Sequence, residues 1–234
     1  IELGLVGSEM CIRDRWIEGD ILVIAQKIIS KAEGRLVNLK EINPSKRALE
    51  LGSLTQKDPR LVELILQEST KVIRHRKGVL VVQNHHGVIL ANAGIDRSNL
   101  EQDKEQDWVL LLPKDSDLSA KKIHQELFSK TGVHLGVIIN DSIGRAWRNG
   151  TLGTAIGVAG IPSIIDLRGR KDLFGNPLRV SEEAIADELA SAASLLQGQA
   201  DEALPVVLIR GFQKQTPSIP ASGLIRPKET DLFQ

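Results

Sequence analysis

Two short polar runs constrain this chain more than any other feature: Asn92-Ala93-Gly94-Ile95-Asp96-Arg97-Ser98-Asn99 and Asn140-Asp141-Ser142-Ile143-Gly144-Arg145. Each follows an apolar, strand-like stretch, residues 87–91 in the first case and 136–139 in the second, so each sets an aspartate where a strand is expected to end. A fold that accommodates both must be built on strands whose ends carry oxygen-rich turns. Carboxylates, amide oxygens and a hydroxyl on rigid strand ends are hard ligands suited to Mg²⁺ or Mn²⁺, commonly in company with substrate phosphates. The same residues also suit Asx-type turns, in which Asn and Asp cap their own backbone and Gly94 and Gly144 supply unusual dihedrals. Together, and with the basic residues described below, the two runs favour a metal site.

From Trp16 onward, short apolar runs alternate with helical patterns. Residues 21–25 read as a strand, and 26–33 as a loop or helical turn ending at Gly34. Asp58 and Pro59 open a helix by cap and first-turn proline, and Leu61, Leu64, Ile65 and Glu68 follow at helical spacing. Residues 79–82 and 88–91 read as strands joined into a hairpin by the polar segment 83–87. Residues 118–130 read as a helix capped by Ser119 and stopped by Gly132, and 133–139 as a strand with Asp141 beyond its end. The region 150–169 is rich in glycine, but its spacing fits neither the dinucleotide fingerprint nor the Gly-x-x-x-x-Gly-Lys-Ser/Thr phosphate loop. Ser181 is expected to cap a long helix with Glu182 and Glu183 in its first turn and with Ala184, Ile185, Leu189, Ala192, Ala193 and Leu196 on its buried side. Residues 206–209 read as a late strand, and the tail after Gly211 as irregular. The expected fold class is α+β, with mixed β-sheets and flanking helices.

Composition narrows the function. Thirty basic and thirty acidic residues cancel, so no net field favours nucleic acid or an anionic membrane, and a small-molecule substrate fits better. No apolar run approaches the roughly 20 residues that span a bilayer, and no signal-peptide pattern is present, so a soluble, cytoplasmic protein is expected. Cys11 is the only cysteine, which excludes an internal disulfide and a Cys-rich zinc site. The adjacent His85 and His86 would point to opposite faces of a strand and do not make a two-histidine metal site. Residues 1–15 hold the only Met and the only Cys, show neither helical nor strand period, and resemble translated adapter sequence; they are read as a foreign leader, with one domain over 16–234.

Basic residues accompany the acidic runs: Lys31 and Arg35, Arg145 and Arg148, then Arg168, Arg170 and Lys171. Arginine forks and lysine charges suit phosphates, and with two ligand-rich strand ends they suggest a nucleoside triphosphate and a divalent metal. At this point a resemblance emerges. The segments Gln26-Lys27-Ile28-Ile29-Ser30-Lys31-Ala32-Glu33-Gly34-Arg35, Gly153-Thr154-Ala155-Ile156-Gly157, Asp166-Leu167-Arg168-Gly169-Arg170-Lys171-Asp172-Leu173-Phe174-Gly175 and Gln197-Gly198-Gln199-Ala200-Asp201-Glu202, with the two polar runs and Trp147-Arg148, resemble the F420 γ-glutamyl ligase family in order from about Gly19 to Gly211.

The resemblance implies the fold of that family, an intertwined homodimer with its active site near the subunit interface, and a GTP-dependent addition of L-glutamate to the deazaflavin coenzyme F420-0, or to F420-1, through an acyl phosphate. By the same resemblance, Ser30, Lys31, Arg35 and Asn99 would hold GTP, and the segment Gln197, Gly198, Gln199, Ala200, Asp201, Glu202, Ala203 and Leu204 would wrap it. Asp96 and Asp141 would bind one Mg²⁺ or Mn²⁺, with a role as base toward the incoming amine left open, and Ser142 and Gln199 would serve a second ion. K⁺ is a further cofactor the family leaves room for, and neither nucleic acid nor membrane is an expected partner. The family's earliest GTP-contacting loop falls within the leader. Two other readings stand beside this one: an amide ligase for a different acceptor, and a non-catalytic nucleotide- and metal-binding protein.

Overall fold

The computed structural model describes residues 4–6, 16–100, 106–212 and 217–232. In chain order the elements are β1 (Gly4–Val6), β2 (Ile21–Ala25), α1 (Gln26–Ala32), β3 (Leu36–Asn38), α2 (Lys46–Thr55), α3 (Pro59–Gln67), β4 (Ser69–Arg76), β5 (Val79–Asn84) and β6 (Ile89–Ala91). There follow β7 (Trp108–Leu110), α4 (Ser116–Thr131), β8 (Gly136–Gly144), β9 (Thr151–Ala159), β10 (Ile165–Asp166), β11 (Glu182–Glu183), α5 (Ile185–Gln197) and β12 (Val206–Arg210). The stretch read from sequence as one domain divides into two compact units. One contains residues 1–25, 116–142 and 153–234, and the other contains 26–115 and 143–152.

The first unit is organised by a five-stranded mixed sheet in the order β1-β12-β2-β8-β9. β2 runs parallel to β8, with Ala25 opposite Asn140 where their pairing ends, and β12 is antiparallel to β2. Ile21, Val23, Ile138, Val207 and Ile209 of this sheet pack against Ile185, Leu189, Ala190 and Ala193 of α5. Complete burial of each such Ile, Leu or Val side chain contributes about 1.5–3 kcal/mol. The glycine-rich region becomes β9, and Gly157 has a steric reason to be there: a Cβ would lie 2.5 Å from the Ser116 carbonyl carbon. Asp117, in the first turn of α4, accepts hydrogen bonds from the amides of Val158 (2.9 Å), Ala221 (2.7 Å) and Ser222 (3.0 Å), tying β9 and the C-terminal segment to the helix.

The second unit holds the antiparallel sheet β4-β5-β6 and the two-stranded β3-β7 ladder. Its helices begin as local chemistry dictates. Asp58 accepts from the Arg60 amide at 2.9 Å at the start of α3, and Ser45 accepts from the Ala48 amide at the start of α2. β5 alternates strictly, so Leu80 and Val82 reach a core made with Ala48, Val62, Ile65 and Ala93.

Several expectations are corrected. The strand expected over 133–139 runs over Gly136–Gly144, so Asp141 lies within β8 rather than beyond its end. The helix expected to be capped by Ser119 starts at Ser116, and Ser119 is buried within it. Glu182 and Glu183 do not open a helix but form β11, paired with β10; α5 begins at Ile185, and its first turn carries Asp187 and Glu188. The pairing of Glu182 with Asp166 is non-local and outweighs the local capping pattern. Within the expected leader, Gly4–Val6 forms a strand antiparallel to Arg210, Ile209 and Leu208, although no strand period is legible there; residues 1–3 and 7–15 lie outside the described residues.

Candidate active site

In the second unit, the candidate nucleotide face is built on α1. Lys27 and Lys31 are four residues apart and therefore share one face of the helix. Lys27 Nζ lies 2.8 Å from Asp96 Oδ2 and also donates to the carbonyl and hydroxyl of Ser98, while Lys31 Nζ donates to the Asn99 carbonyl at 3.1 Å. The Asn92–Asn99 run is thus drawn against two ammonium groups. Its backbone bends through positive φ at Asn92, Ala93, Gly94 and Asn99, and the Asp96 amide and carbonyl pair with Leu110. Burial would raise the Asp96 pKa, but the Lys27 ammonium and the amide and hydroxyl of Ser98 outweigh it and hold the carboxyl below its usual range. Asp96 therefore makes an Asx turn through the Ser98 amide (2.8 Å) and offers a charged oxygen at the same time.

Two residues expected at the nucleotide have structural commitments. Ser30 is 0% exposed, and its hydroxyl donates to Gln26 Oε1 at 2.9 Å within α1. Arg35 donates from Nε to the Leu112 carbonyl (2.9 Å) and from Nη2 to Glu68 Oε2 (2.8 Å). Lys27, which received no role from sequence, is the cation that meets Asp96; its four-residue spacing from Lys31 is the signal that could have found it. Arg168 is likewise committed, to Asp166 at 2.6 Å and Glu182 at 3.4 Å, and its guanidinium draws the Asp166 pKa down to about 2.

In the first unit, the paired strands β2 and β8 meet the end of α5 through Val23 and Asn140. Gln197, the last residue of α5, donates from Nε2 to the carbonyls of Val23 (3.2 Å) and Pro205 (3.4 Å). Its Oε1 then faces Asn140 and accepts from Asn140 Nδ2 at 2.6 Å. Gln197 is thus a bracket that joins β8 to α5, rather than one of the surface groups of the segment that follows it. Beyond it the chain turns sharply. Gly198 adopts φ 69°, ψ −173°, a region essentially closed to other residues, and the Glu202 carboxylate folds over it to accept the Ala200 amide at 2.8 Å. This amide contact, first among its causes, lowers the Glu202 pKa. Gln199, Ala200, Asp201, Glu202 and Ala203 are exposed, and Leu204 is half-buried.

Asp141 is half-buried and Ser142 exposed, one and two residues beyond Asn140 on β8. Strand alternation puts Ser142 on the face of Asn140 and Ile138, and Asp141 on the other. Among the described residues there is no cluster of three or more His, Cys, Asp or Glu that could hold a metal ion, so any ion here depends on single carboxylates supplemented by neutral oxygens. Such oxygens are present, and one is conspicuous: Asn140 Oδ1 is buried and has no hydrogen-bond partner among the described residues. A buried, unpartnered acceptor on the same strand face as a hydroxyl fits a hard divalent cation.

Residues 8–211 match the family model described as F420-0:Gamma-glutamyl ligase. Among curated relatives, the coenzyme F420:L-glutamate ligase of Methanocaldococcus jannaschii is 46% identical over 217 residues, covering 93% of this chain and 85% of its own. The protein of the same name from Methanothermobacter thermautotrophicus is 46% identical over 222 residues (93% and 86%), and that from Methanopyrus kandleri 42% over 221 residues (93% and 86%). The ordered motifs, the mixed α+β architecture and this extent of identity agree, and the chain belongs to the F420-0:gamma-glutamyl ligase family.

Proposed function

We propose that this protein is a ligase that joins L-glutamate to coenzyme F420-0 through an amide bond, with GTP as the phosphoryl donor. The observation that carries the reading is 46% identity over 93% of the chain to a protein named coenzyme F420:L-glutamate ligase. The Lys27 and Lys31 face of α1 supports it, because two adjacent ammonium groups suit a polyphosphate. Lys31 and Asn99 are the nucleotide contacts with exposed side chains, whereas Ser30 and Arg35 shape the helix and its neighbours. The exposed Gln199 to Ala203 segment would close over the nucleotide.

A carboxylate is a poor electrophile, so the γ-phosphoryl group is transferred to an oxygen of the acceptor carboxylate and GDP leaves. The deprotonated amine of glutamate then attacks the acyl carbon, an amide bond forms, and inorganic phosphate departs. Asp96 and Asp141 are the carboxylates proposed to hold Mg²⁺ or Mn²⁺, with Ser142 and Gln199 serving a second ion. Bound there, a divalent ion supplies charge neutralisation at the phosphoryl oxygens. Lys27 holds Asp96 ionised and oriented, and no protein nucleophile is needed.

A homodimer is part of the proposal. Leu173 is 100% exposed and Phe174 90%, on the segment between β10 and β11, and a second copy would cover such apolar surface. The function is tested by incubating the protein with GTP, Mg²⁺, L-glutamate and a panel of acceptor carboxylates, with products read by mass spectrometry. A glutamyl adduct of F420-0 that forms only with GTP is expected. An adduct on another acceptor, with F420-0 untouched, would replace the substrate assignment, and nucleotide binding without any adduct would remove the catalytic one.

A further inference from the structure

We propose that Asn140, held by Gln197, is itself an oxygen ligand of the divalent ion assigned to Ser142 and Gln199. The inference rests on the ligase reading and adds to it a donor and the bracket that aims it.

The orientation of the Asn140 amide follows from chemistry. Val23 and Pro205 present carbonyl oxygens to Gln197, so only the amino group of Gln197 can face them. Its carbonyl oxygen must then face Asn140, and only the Asn140 amino group can meet an acceptor at 2.6 Å. Flipping Asn140 would set two acceptors against each other. Asn140 Oδ1 is thereby fixed on the side away from Gln197, in a residue that is only 5% exposed, and no donor among the described residues reaches it. A buried acceptor left in this state is costly, and its orientation is imposed by a second amide that is anchored twice.

The surroundings specify the occupant. Ser142 follows Asn140 on the same face of β8, and Gln199 follows Gln197 by two residues, so the Asn140–Gln197 bond joins the two segments just ahead of the hydroxyl and amide that the ligase reading gives to one ion. β2 ends at Ala25, opposite Asn140, whereas β8 runs on to Gly144, so Ser142 lies on the part of β8 beyond its pairing with β2. Amide and hydroxyl oxygens are hard donors, and they select Mg²⁺ or Mn²⁺ over thiophilic metals.

The test measures metal binding directly on the full chain, with Mn²⁺ titrated in the presence of GDP and free Mn²⁺ read by electron paramagnetic resonance against a GDP blank. Asn140→Leu should weaken Mn²⁺ binding by about tenfold or more, the scale on which loss of a site-organising group acts. Asn140→Cys keeps a small side chain and replaces a hard donor with a soft one, so its preference for Cd²⁺ over Mn²⁺ should rise by about tenfold relative to the parent chain. A structural role alone would lower the melting temperature of both variants without changing that preference. Folded variants with parental Mn²⁺ affinity and unchanged Cd²⁺ preference would overturn the inference and leave the ligase reading standing. A parent chain that takes up no Mn²⁺ would overturn both this inference and the metal dependence assigned to the ligase.

Discussion

Replacing Gln197 tests whether the junction of β2, β8 and α5 depends on one amide. Gln197→Leu is close to isosteric and removes three hydrogen bonds: those to Val23 and Pro205 and the one from Asn140. Each net hydrogen bond is worth about 0.5–1.5 kcal/mol, and a buried Asn140 amino group left without an acceptor costs about 1–3 kcal/mol. Allowing for weak bonds at 3.2 and 3.4 Å, the expected loss is about 2–4 kcal/mol, which for a chain of this length lowers the melting temperature by about 4–16 °C. Gln197→Glu gives a sharper signature. An ionised carboxylate would face two carbonyl oxygens, so the introduced carboxyl has a folded pKa above its unfolded value of about 4.3. Its protonated form is favoured in the fold, and stability should be greatest below the unfolded pKa and decline as pH rises through the folded one. Urea unfolding, followed by fluorescence from pH 4 to pH 8, reads both effects. A Gln197→Leu chain within about 0.5 kcal/mol of the parent, or a Gln197→Glu chain whose difference from the parent does not grow with pH, would refute the bracket.

Three other outcomes follow from the same geometry. Asp96→Asn breaks a half-exposed ion pair with Lys27 and should change stability by less than about 1 kcal/mol while abolishing Mg²⁺- or Mn²⁺-dependent turnover; retained turnover would remove Asp96 from the metal set. Gly157→Ala drives a Cβ into the Ser116 carbonyl and should destabilise by about 1–3 kcal/mol in the same urea assay, so a neutral effect would show that β9 and α4 can separate freely. Carboxyl-carbon NMR should find Asp187, raised by burial, titrating above the ordinary range, and Asp96 below it. The stability from Asp96 is then present above its unfolded pKa and lost as pH falls through the lower folded value, whereas that linked to Asp187 declines as pH rises through its elevated one; the reverse order of titration would contradict both environments.

What was legible in the sequence was mostly local. Asp58 and Pro59 start α3 because a cap and a first-turn proline act within one turn, and the 83–87 hairpin connection follows from polar residues between two apolar runs. The Asn92–Asn99 run could be read as a turn or as a site; Asp96 makes the turn, with one oxygen capping Ser98, and its other oxygen lies on Lys27. The failures were non-local. Ser181, Glu182 and Glu183 satisfy every local rule for a helix start, yet Ile165 and Asp166 recruit the two glutamates into a ladder. The glycines of β9 carry no strand signal, because the reason for Gly157 is a carbonyl on α4. Ser30 and Gln197 stand in motifs that a family resemblance assigns to nucleotide, but their polar atoms are occupied by Gln26, one helical turn away, and by the β2–α5 junction, whose distant partners no spacing rule reveals.

The proposed chemistry is tested most directly by intercepting its intermediate. The protein is incubated with GTP, Mg²⁺, F420-0 and hydroxylamine, with glutamate left out. Phosphoryl transfer to the acceptor carboxylate makes an acyl phosphate that hydroxylamine captures, so the expected result is a hydroxamate of the coenzyme formed together with GDP, dependent on the metal and absent in Asp96→Asn. Release of GMP and pyrophosphate, or GDP formation with no hydroxamate, would contradict activation of the carboxylate through an acyl phosphate.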